Sequence, residues 1–343
     1  MKALIFHAPG RLALEDRPEP RIERPDDAIV ELALAGICGT DRAIHGGRFP
    51  ARAGVILGHE AVGVVRELGA AVTHLSPGDR VVIDPTLHCG VCDDCRTGRF
   101  NFCANKAGTE VGVDRDGAFA RAIRLPARFL YQLPDDMAFE RAVLVEPLAC
   151  VLNNLEQAGV GFDDTVAVLG AGPIGLLAAM MAARRARRVL VVDTHPARVR
   201  WARRMCEHVI DGAGEPRWRE TVVQANRGKP PRIVVETTGV LLTEALELVD
   251  RGGKVVLMGF NASYSATIQP LYLTNRGIHL IGAGDYNQNL QSALDVASGL
   301  PLEALISHRL PLEDHAAAFG LLDNRAPAPG DAGVMKVLFE IHA

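Results

Sequence analysis

The stretch Val166–Asp193, VAVLGAGPIGLLAAMMAARRARRVLVVD, decides the fold. An apolar run ends at Leu169, a turn follows as Gly170-Ala171-Gly172-Pro173-Ile174-Gly175, and an apolar segment leads to a second apolar run ending in Asp193. Strand, glycine turn, helix and strand together form the unit on which a dinucleotide rests. Gly170 permits the tight turn, Gly172 lets backbone approach a pyrophosphate, and Gly175 lets the helix pack on the strand. The helix that begins at Pro173 and Ile174 presents free N–H groups and the positive end of its dipole to an anion. Asp193 follows Gly175 by 18 residues, where an acid meets the ribose hydroxyls.

Thr165 to Ala183 is also a run of 19 uncharged residues, long enough to suggest a membrane span. Gly-Ala-Gly-Pro interrupts it, Asp163 and Asp164 precede it, and Arg184 and Arg185 close it, so a buried strand and helix explain it better.

The chain has 343 residues, enough for about two domains, with 48% hydrophobic and 23% charged residues. A net charge of −4 gives no reason to expect nucleic acid or an anionic membrane as partner. The Arg184–Arg188 cluster lies where a helix C-terminus favours positive charge and reads as a solvated helix end. The N-terminus lacks a long apolar segment, so no secretory signal is read and the protein is expected to be cytoplasmic.

Seven cysteines, four of them within 15 residues, suit metal binding better than a disulfide framework. Cys89, Cys92, Cys95 and Cys103 follow C-x2-C-x2-C-x7-C in a loop, about 88–104, rich in Gly, Asp and Arg. Four thiolates can fill every position around a tetrahedral zinc, which describes a structural site. An iron–sulfur cluster or redox-active pairs would use the same residues.

A second constellation begins at Cys38-Gly39-Thr40-Asp41 and continues at Gly58-His59-Glu60, whose histidine lies 21 residues after the thiol. Thiolate, imidazole and carboxylate are the ligand types of a catalytic zinc that keeps one position open. Taken singly, Cys38 reads as a small buried hydrophobe and His59 as a core histidine. Glu146-Pro147 opens a helix with apolar positions Leu148, Val151, Leu152 and Leu155, and Glu146 suits the first turn with or without a metal nearby.

Residues 1 to about 35 and Gly117 to Leu133 read as short strands divided by prolines. Beyond Asp193 the alternation continues with a helix at Ala197–Cys206, strands at Val209–Ile210, Arg232–Glu236 and Gly253–Met258, and a sixth strand at Ile278–Ile281. This predicts a six-stranded doubly wound sheet of the Rossmann type, with ligands beyond the carboxyl ends of its strands. Thr237, Thr238, Gly239, Met258 and Gly259 fall there. A helix from Leu312 to Leu322, a surface loop at Ala326–Gly333 and a strand from Met335 to Ile341 complete the chain, without internal repeats.

In this order, the C-G-T-D turn, the G-H-E triplet, the four-cysteine loop, the E-P helix and the GAGPIG turn resemble the zinc-dependent medium-chain dehydrogenases over essentially the whole chain. G-H-E-A-V-G-V-V and V-E-P-L-A make it most similar to the polyol, or sorbitol (iditol), dehydrogenases. The resemblance implies an α/β fold class: a GroES-like β-rich catalytic domain from residues 1–150 and 286–343, and a Rossmann domain at 151–285 between them. It implies two zincs per chain, the structural one on the four cysteines and a catalytic one on Cys38, His59 and a carboxylate. Glu60 and Glu146 are the candidate carboxylates. Where the family has a histidine two residues after C-G-T-D, this chain has Ala43, and the nearest histidine is His45.

The implied reaction moves a hydride from a secondary alcohol of a polyol, cyclitol or sugar to NAD, with Thr40 as the proton relay. Asp193 opposes a 2′-phosphate and so favours NAD, while His195 and Arg198 leave NADP open. His45, Phe49, Asp285, Tyr286 and Asn287 are candidate substrate contacts, and a homodimer or homotetramer is expected from the relatives. Threonine or amino-alcohol, simple secondary alcohol and aldose dehydrogenases are the alternative enzymes. A nucleotide-binding zinc protein without catalysis is the non-enzyme alternative.

Overall fold

The computed structural model describes residues 1–323 and 333–341. It contains β1 (Lys2–Ala8), β2 (Arg11–Asp16), β3 (Asp27–Gly36), β4 (Glu60–Leu68), β5 (Arg80–Ile83), β6 (Ala122–Pro126) and β7 (Leu130–Gln132) in the first part of the chain. Next come β8 (Thr165–Leu169), β9 (Arg188–Asp193), β10 (His208–Asp211), β11 (Ile233–Glu236), β12 (Lys254–Leu257) and β13 (His279–Gly282). β14 (Ile306–Pro311) and β15 (Lys336–Glu340) follow.

The chain divides into two compact units. One is Met1–Ala149 together with two later segments that start at Asn287 and Lys336; the other is Cys150–Tyr286 with a short segment ending at Met335. The expected division, 1–150 with 286–343 against 151–285, differs from this one at that short segment. Gly333 packs so closely on the helix Pro196–Met205 that a Cβ there would lie 2.3 Å from Ala197 Cβ. The rest of the expected surface loop, 326–332, lies outside the described residues.

In the first unit a seven-stranded sheet runs β14-β15-β3-β4-β5-β7, with β6 also on β3. β3 is its axis: antiparallel to β4 with Gly36 opposite Glu60, and antiparallel to β15 with Gly36 opposite Leu338. The core beneath includes Ile29, Leu32, Val62, Ile83 and Leu125, all fully buried or nearly so, and a Phe119–Phe339 edge-to-face pair at 5.0 Å. Burying each such side chain contributes about 1.5–3 kcal/mol before the entropy of ordering it is counted. Gly58, φ +90, lets the chain turn beneath this core, because a Cβ there would lie 2.4 Å from the Phe119 ring. His59 is the next residue, so packing and site geometry are set together.

The second unit is a parallel sheet of order β10-β9-β8-β11-β12-β13, the doubly wound arrangement. β8 is buried at every position, as a central parallel strand must be. The 11-residue helix Pro173–Ala183 that follows is apolar on most of its surface and has seven buried residues. It is about half the length needed to cross a bilayer, and among the described residues no helix is long and apolar enough to do so. The expected elements shift slightly at their ends: the sixth strand starts at His279, and the helix expected at Leu312–Leu322 is His315–Asp323, preceded by a 3-10 turn at Leu312–Asp314.

Candidate active site and cysteine lobe

Cys38 leaves β3 in extended conformation and caps the helix Gly39–His45. Asp41, in the first turn of that helix, is fully buried. Its Oδ2 accepts the Cys38 N–H at 2.9 Å, its Oδ1 accepts the Gly58 N–H at 3.2 Å, and Oδ1 also lies 3.8 Å from His59 Nδ1. One carboxylate thereby fixes both the thiol turn and the histidine turn, which pattern reading of the sequence had not singled out. Burial raises the Asp41 pKa, opposed by His59 and the two amides.

Glu60 opens β4 at 1% exposure and pairs with the buried ammonium of Lys336, which also donates to the Ile37 carbonyl at 3.1 Å. Cys38, His59 and Glu60 each bring one donor atom to within 4.8 Å of the others. Glu146, in the first turn of the helix Val145–Ala158 and 6% exposed, is not among these three donors, but its charge reaches both His59 and Lys336.

Burial opposes charge on the His59 ring, yet Asp41, Cys38 and Glu146 raise its pKa well above the ordinary value. Lys336 behaves alike: burial lowers its pKa, and Glu60 with Cys38 and Glu146 raises it overall. The pocket is therefore a concentration of negative charge in a buried place. With a thiol, an imidazole and a carboxylate converging, and His59 Nδ1 buried without a hydrogen bond, the residues fit a zinc ion. Thr40 Oγ1 lies 3.7 Å from Cys38 Sγ.

Cys89, Cys92, Cys95 and Cys103 also converge within 4.8 Å, with Sγ–Sγ separations of 4.0 Å for Cys89–Cys95 and 3.9 Å for Cys92–Cys103. A tetrahedral zinc with four sulfurs at about 2.3 Å has edges of about 3.8 Å, so these residues fit that ion with little movement. All seven cysteines are free thiols. The Val91 amide, with the Asn105 side chain and the Cys92 amide, brings the Cys89 thiol down to about 6, whereas burial pushes Cys95 up to about 12.

Residues 24–135 match the alcohol dehydrogenase GroES-like domain, and residues 173–298 match the zinc-binding dehydrogenase domain. The chain is 31% identical to sorbitol dehydrogenase of Bos taurus over 334 residues, covering 92% of this chain and 91% of that protein. It is 32% identical over 338 residues to the probable D-xylulose reductase A of Emericella nidulans, with 92% of each covered. An alcohol dehydrogenase from Thermus sp. ATN1 matches the structure with a TM-score of 0.90 and 31% identity over 100% of both chains. The chain belongs to the zinc-dependent medium-chain dehydrogenases.

The glycine turn expected to carry the nucleotide is closed at two of its glycines and open at the third. Gly170, φ +102, would place a Cβ 2.5 Å from Thr237 Oγ1, and Gly175 would place one 1.9 Å from the Gly170 carbonyl oxygen. A Cβ on Gly172 would meet nothing within 4 Å. Pro173 and Ile174 follow as the first two helical residues and are half-buried.

Asp193 accepts the Ala171 and His195 N–H groups, each at 2.7 Å, and Arg198 Nη1 lies 4.0 Å from Asp193 Oδ2. At the ends of β11 and β12, Thr237 Oγ1 donates to the Leu169 carbonyl at 2.8 Å, and buried Glu236 takes the amides of Thr238 and Gly239. The Met258 and Gly259 amides donate to the Glu236 carbonyl, and Gly259 approaches Gly239 so closely that a Cβ would lie 1.9 Å from its nitrogen. The Thr237 and Thr238 hydroxyls thus brace the loops, Thr237 on the Leu169 carbonyl and Thr238 on the Glu236 carboxylate.

The expected substrate contacts fare unevenly. His45 packs its ring 5.0 Å from Phe319, and Phe49 is half-buried, its amide on the Ala43 carbonyl. Asp285 is also half-buried, its carbonyl taken by Asn153 Nδ2. Tyr286, expected as a hydroxyl contact, is 1% exposed in this structure. Asn287 reaches the cysteine lobe: its Oδ1 accepts the Phe100 N–H at 2.8 Å and its Nδ2 donates to the Gly98 carbonyl at 2.7 Å.

Proposed function

We propose that this dehydrogenase oxidises a secondary alcohol of a polyol, cyclitol or sugar with NAD, using one catalytic zinc on Cys38, His59 and Glu60 and one structural zinc on the four-cysteine lobe. The observation that carries the reading is the convergence of a thiol, an imidazole and a carboxylate within 4.8 Å in a negatively charged pocket. When bound, the zinc supplies a Lewis acid that polarises an alcohol oxygen and lowers its pKa.

The remaining work falls to side chains. Asp41 orients Cys38 and His59 through their turns. Thr40 offers the hydroxyl that passes the alcohol proton onward, and Ala43 supplies no imidazole to continue the relay. Gly172 leaves space for a pyrophosphate, and Asp193 faces the ribose hydroxyls and opposes a 2′-phosphate, which favours NAD over NADP. A donor set containing both thiolate and carboxylate carries more negative charge than neutral imidazoles would, which suits a substrate offering two adjacent hydroxyls. The names of the bovine and fungal relatives support the same substrate class.

A homodimer or homotetramer is part of the proposal. Among the described residues β13 pairs only with β12 and exposes Leu280 at 37%, an edge that a second copy could cover.

The test is NADH release over a panel of polyols, cyclitols, aldoses, threonine and simple alcohols, with light scattering for the oligomer. Turnover confined to threonine or simple alcohols would replace the substrate class. Zinc bound at one site per chain with no turnover of any alcohol would favour the non-catalytic alternative.

A further inference from the structure

We propose that Lys336 is a positioning residue that sets how tightly Glu60 engages the catalytic metal, because ammonium and metal compete for one carboxylate. The proposal rests on the reading of Cys38, His59 and Glu60 as a metal site.

Lys336 and Glu60 are 3% and 1% exposed, so neither charge is shared with bulk water. The Lys336 ammonium has two oxygen partners, Glu60 Oε2 and the Ile37 carbonyl at 3.1 Å. The same Glu60 carboxylate reaches to within 4.8 Å of the Cys38 and His59 donor atoms. Sheet order creates the juxtaposition: Gly36 on β3 lies opposite Glu60 on β4 and opposite Leu338 on β15, two residues from Lys336. Gly36 is part of the device, since a Cβ there would lie 2.3 Å from Glu60 Oε2 and 2.9 Å from Lys336 Cε. A side chain at this position would push the carboxylate and the lysine stem apart.

A buried carboxylate without a cation is costly. Without metal, Lys336 is the cation that meets this need; with metal, the carboxylate has two claimants. Removing the ammonium destabilises the metal-free protein more than the metal-bound one, and by linkage that difference appears as tighter metal binding. The native lysine therefore keeps Glu60 a weaker, more exchangeable ligand than three unopposed donors would allow.

The experiment measures zinc affinity by chelator competition in the full-length protein, with Cys38→Ser giving the signal of the cysteine lobe alone. Lys336→Met is expected to bind zinc at the Cys38 site about tenfold more tightly, the lower end of the effect of a ligand's outer partners. Its zinc-induced rise in Tm should exceed that of the wild type, and Lys336→Arg should restore wild-type behaviour. Equal or weaker affinity in folded Lys336→Met overturns the proposal.

If metal-free Lys336→Met does not fold, the charge-neutral double variant Glu60→Gln/Lys336→Met is compared with Glu60→Gln. Affinities within about twofold of each other support action through Glu60; a tenfold rise in the double variant overturns it. Failure of the metal-site reading looks different: Cys38→Ser would keep as much zinc as the wild type.

Discussion

Asp193 and Ala171 are joined by a 2.7 Å hydrogen bond, so the acid expected to meet the ribose also holds the nucleotide turn in place. Its other oxygen takes the His195 amide, also at 2.7 Å. Replacing Asp193 by Ser should therefore have two effects. Loss of charged acceptors should lower stability by about 1–3 kcal/mol, read as a fall in Tm. Preference should also shift: kcat/KM for NAD is expected to fall at least about tenfold, while NADP improves as Arg198 is released from the carboxylate. Unchanged selectivity between the two cofactors would remove Asp193 from cofactor choice.

Two glycines of one turn should fail in different ways. Gly175→Ala drives a Cβ into the Gly170 carbonyl at 1.9 Å and should cost about 1–3 kcal/mol or more of stability, as overpacking does. Gly172 is the N-cap of its helix at φ −72, and a Cβ there meets no atom within 4 Å. Gly172→Ala should therefore cost less than about 1 kcal/mol of stability, yet raise the dissociation constant for NADH about tenfold or more by crowding the pyrophosphate. Thermal melts paired with fluorescence titration separate the cases, and undiminished NADH binding in folded Gly172→Ala would place the pyrophosphate elsewhere.

Asp41→Asn preserves size and removes the charge that faces His59 at 3.8 Å and receives the Cys38 and Gly58 amides. Outer partners of metal ligands typically account for about 10–100-fold in affinity, and a loss in that range at the Cys38 site is expected from chelator competition. Wild-type affinity would mean that the backbone alone orients the two ligands.

The nucleotide unit could be read from sequence because most of its constraints are local. Gly172 and Gly175 answer to a space and an atom within one turn, Gly170 reaches out to Thr237 at the end of β11, and fully buried β8 shows as a continuous apolar run. The first unit was legible in its chemistry more than in its assembly. Cys38 and Glu60 come together only because Gly36 and Glu60 face each other across β3 and β4. Lys336 reaches the Ile37 carbonyl across 299 residues of sequence, and its one signal was a lone lysine in an apolar strand. The surroundings of Tyr286 and Asn287 were illegible for the complementary reason: a polar group near a strand end looks the same in sequence whether it meets a ligand, the core or another loop.

The cysteine lobe offers the clearest metal-removal test. Cys95 and Cys103 are buried, but Val91 and Phe102 are 70% and 54% exposed, so the loop has little apolar core to hold it once the thiolates lose a common partner. What remains includes the Asn287 clamp on Gly98 and Phe100 and the His88–Phe100 ring contact at 4.5 Å. Cys95→Ser should lower bound zinc from two ions per chain to one and open the exposed Arg96 and Arg99 bonds to trypsin, with fragments identified by mass spectrometry. Asn287→Ala with zinc retained should stay resistant at both bonds, because four metal–sulfur bonds constrain the loop more than two hydrogen bonds do. Cleavage of Asn287→Ala, or resistance of Cys95→Ser, would assign the order of the lobe to the clamp and not to the metal.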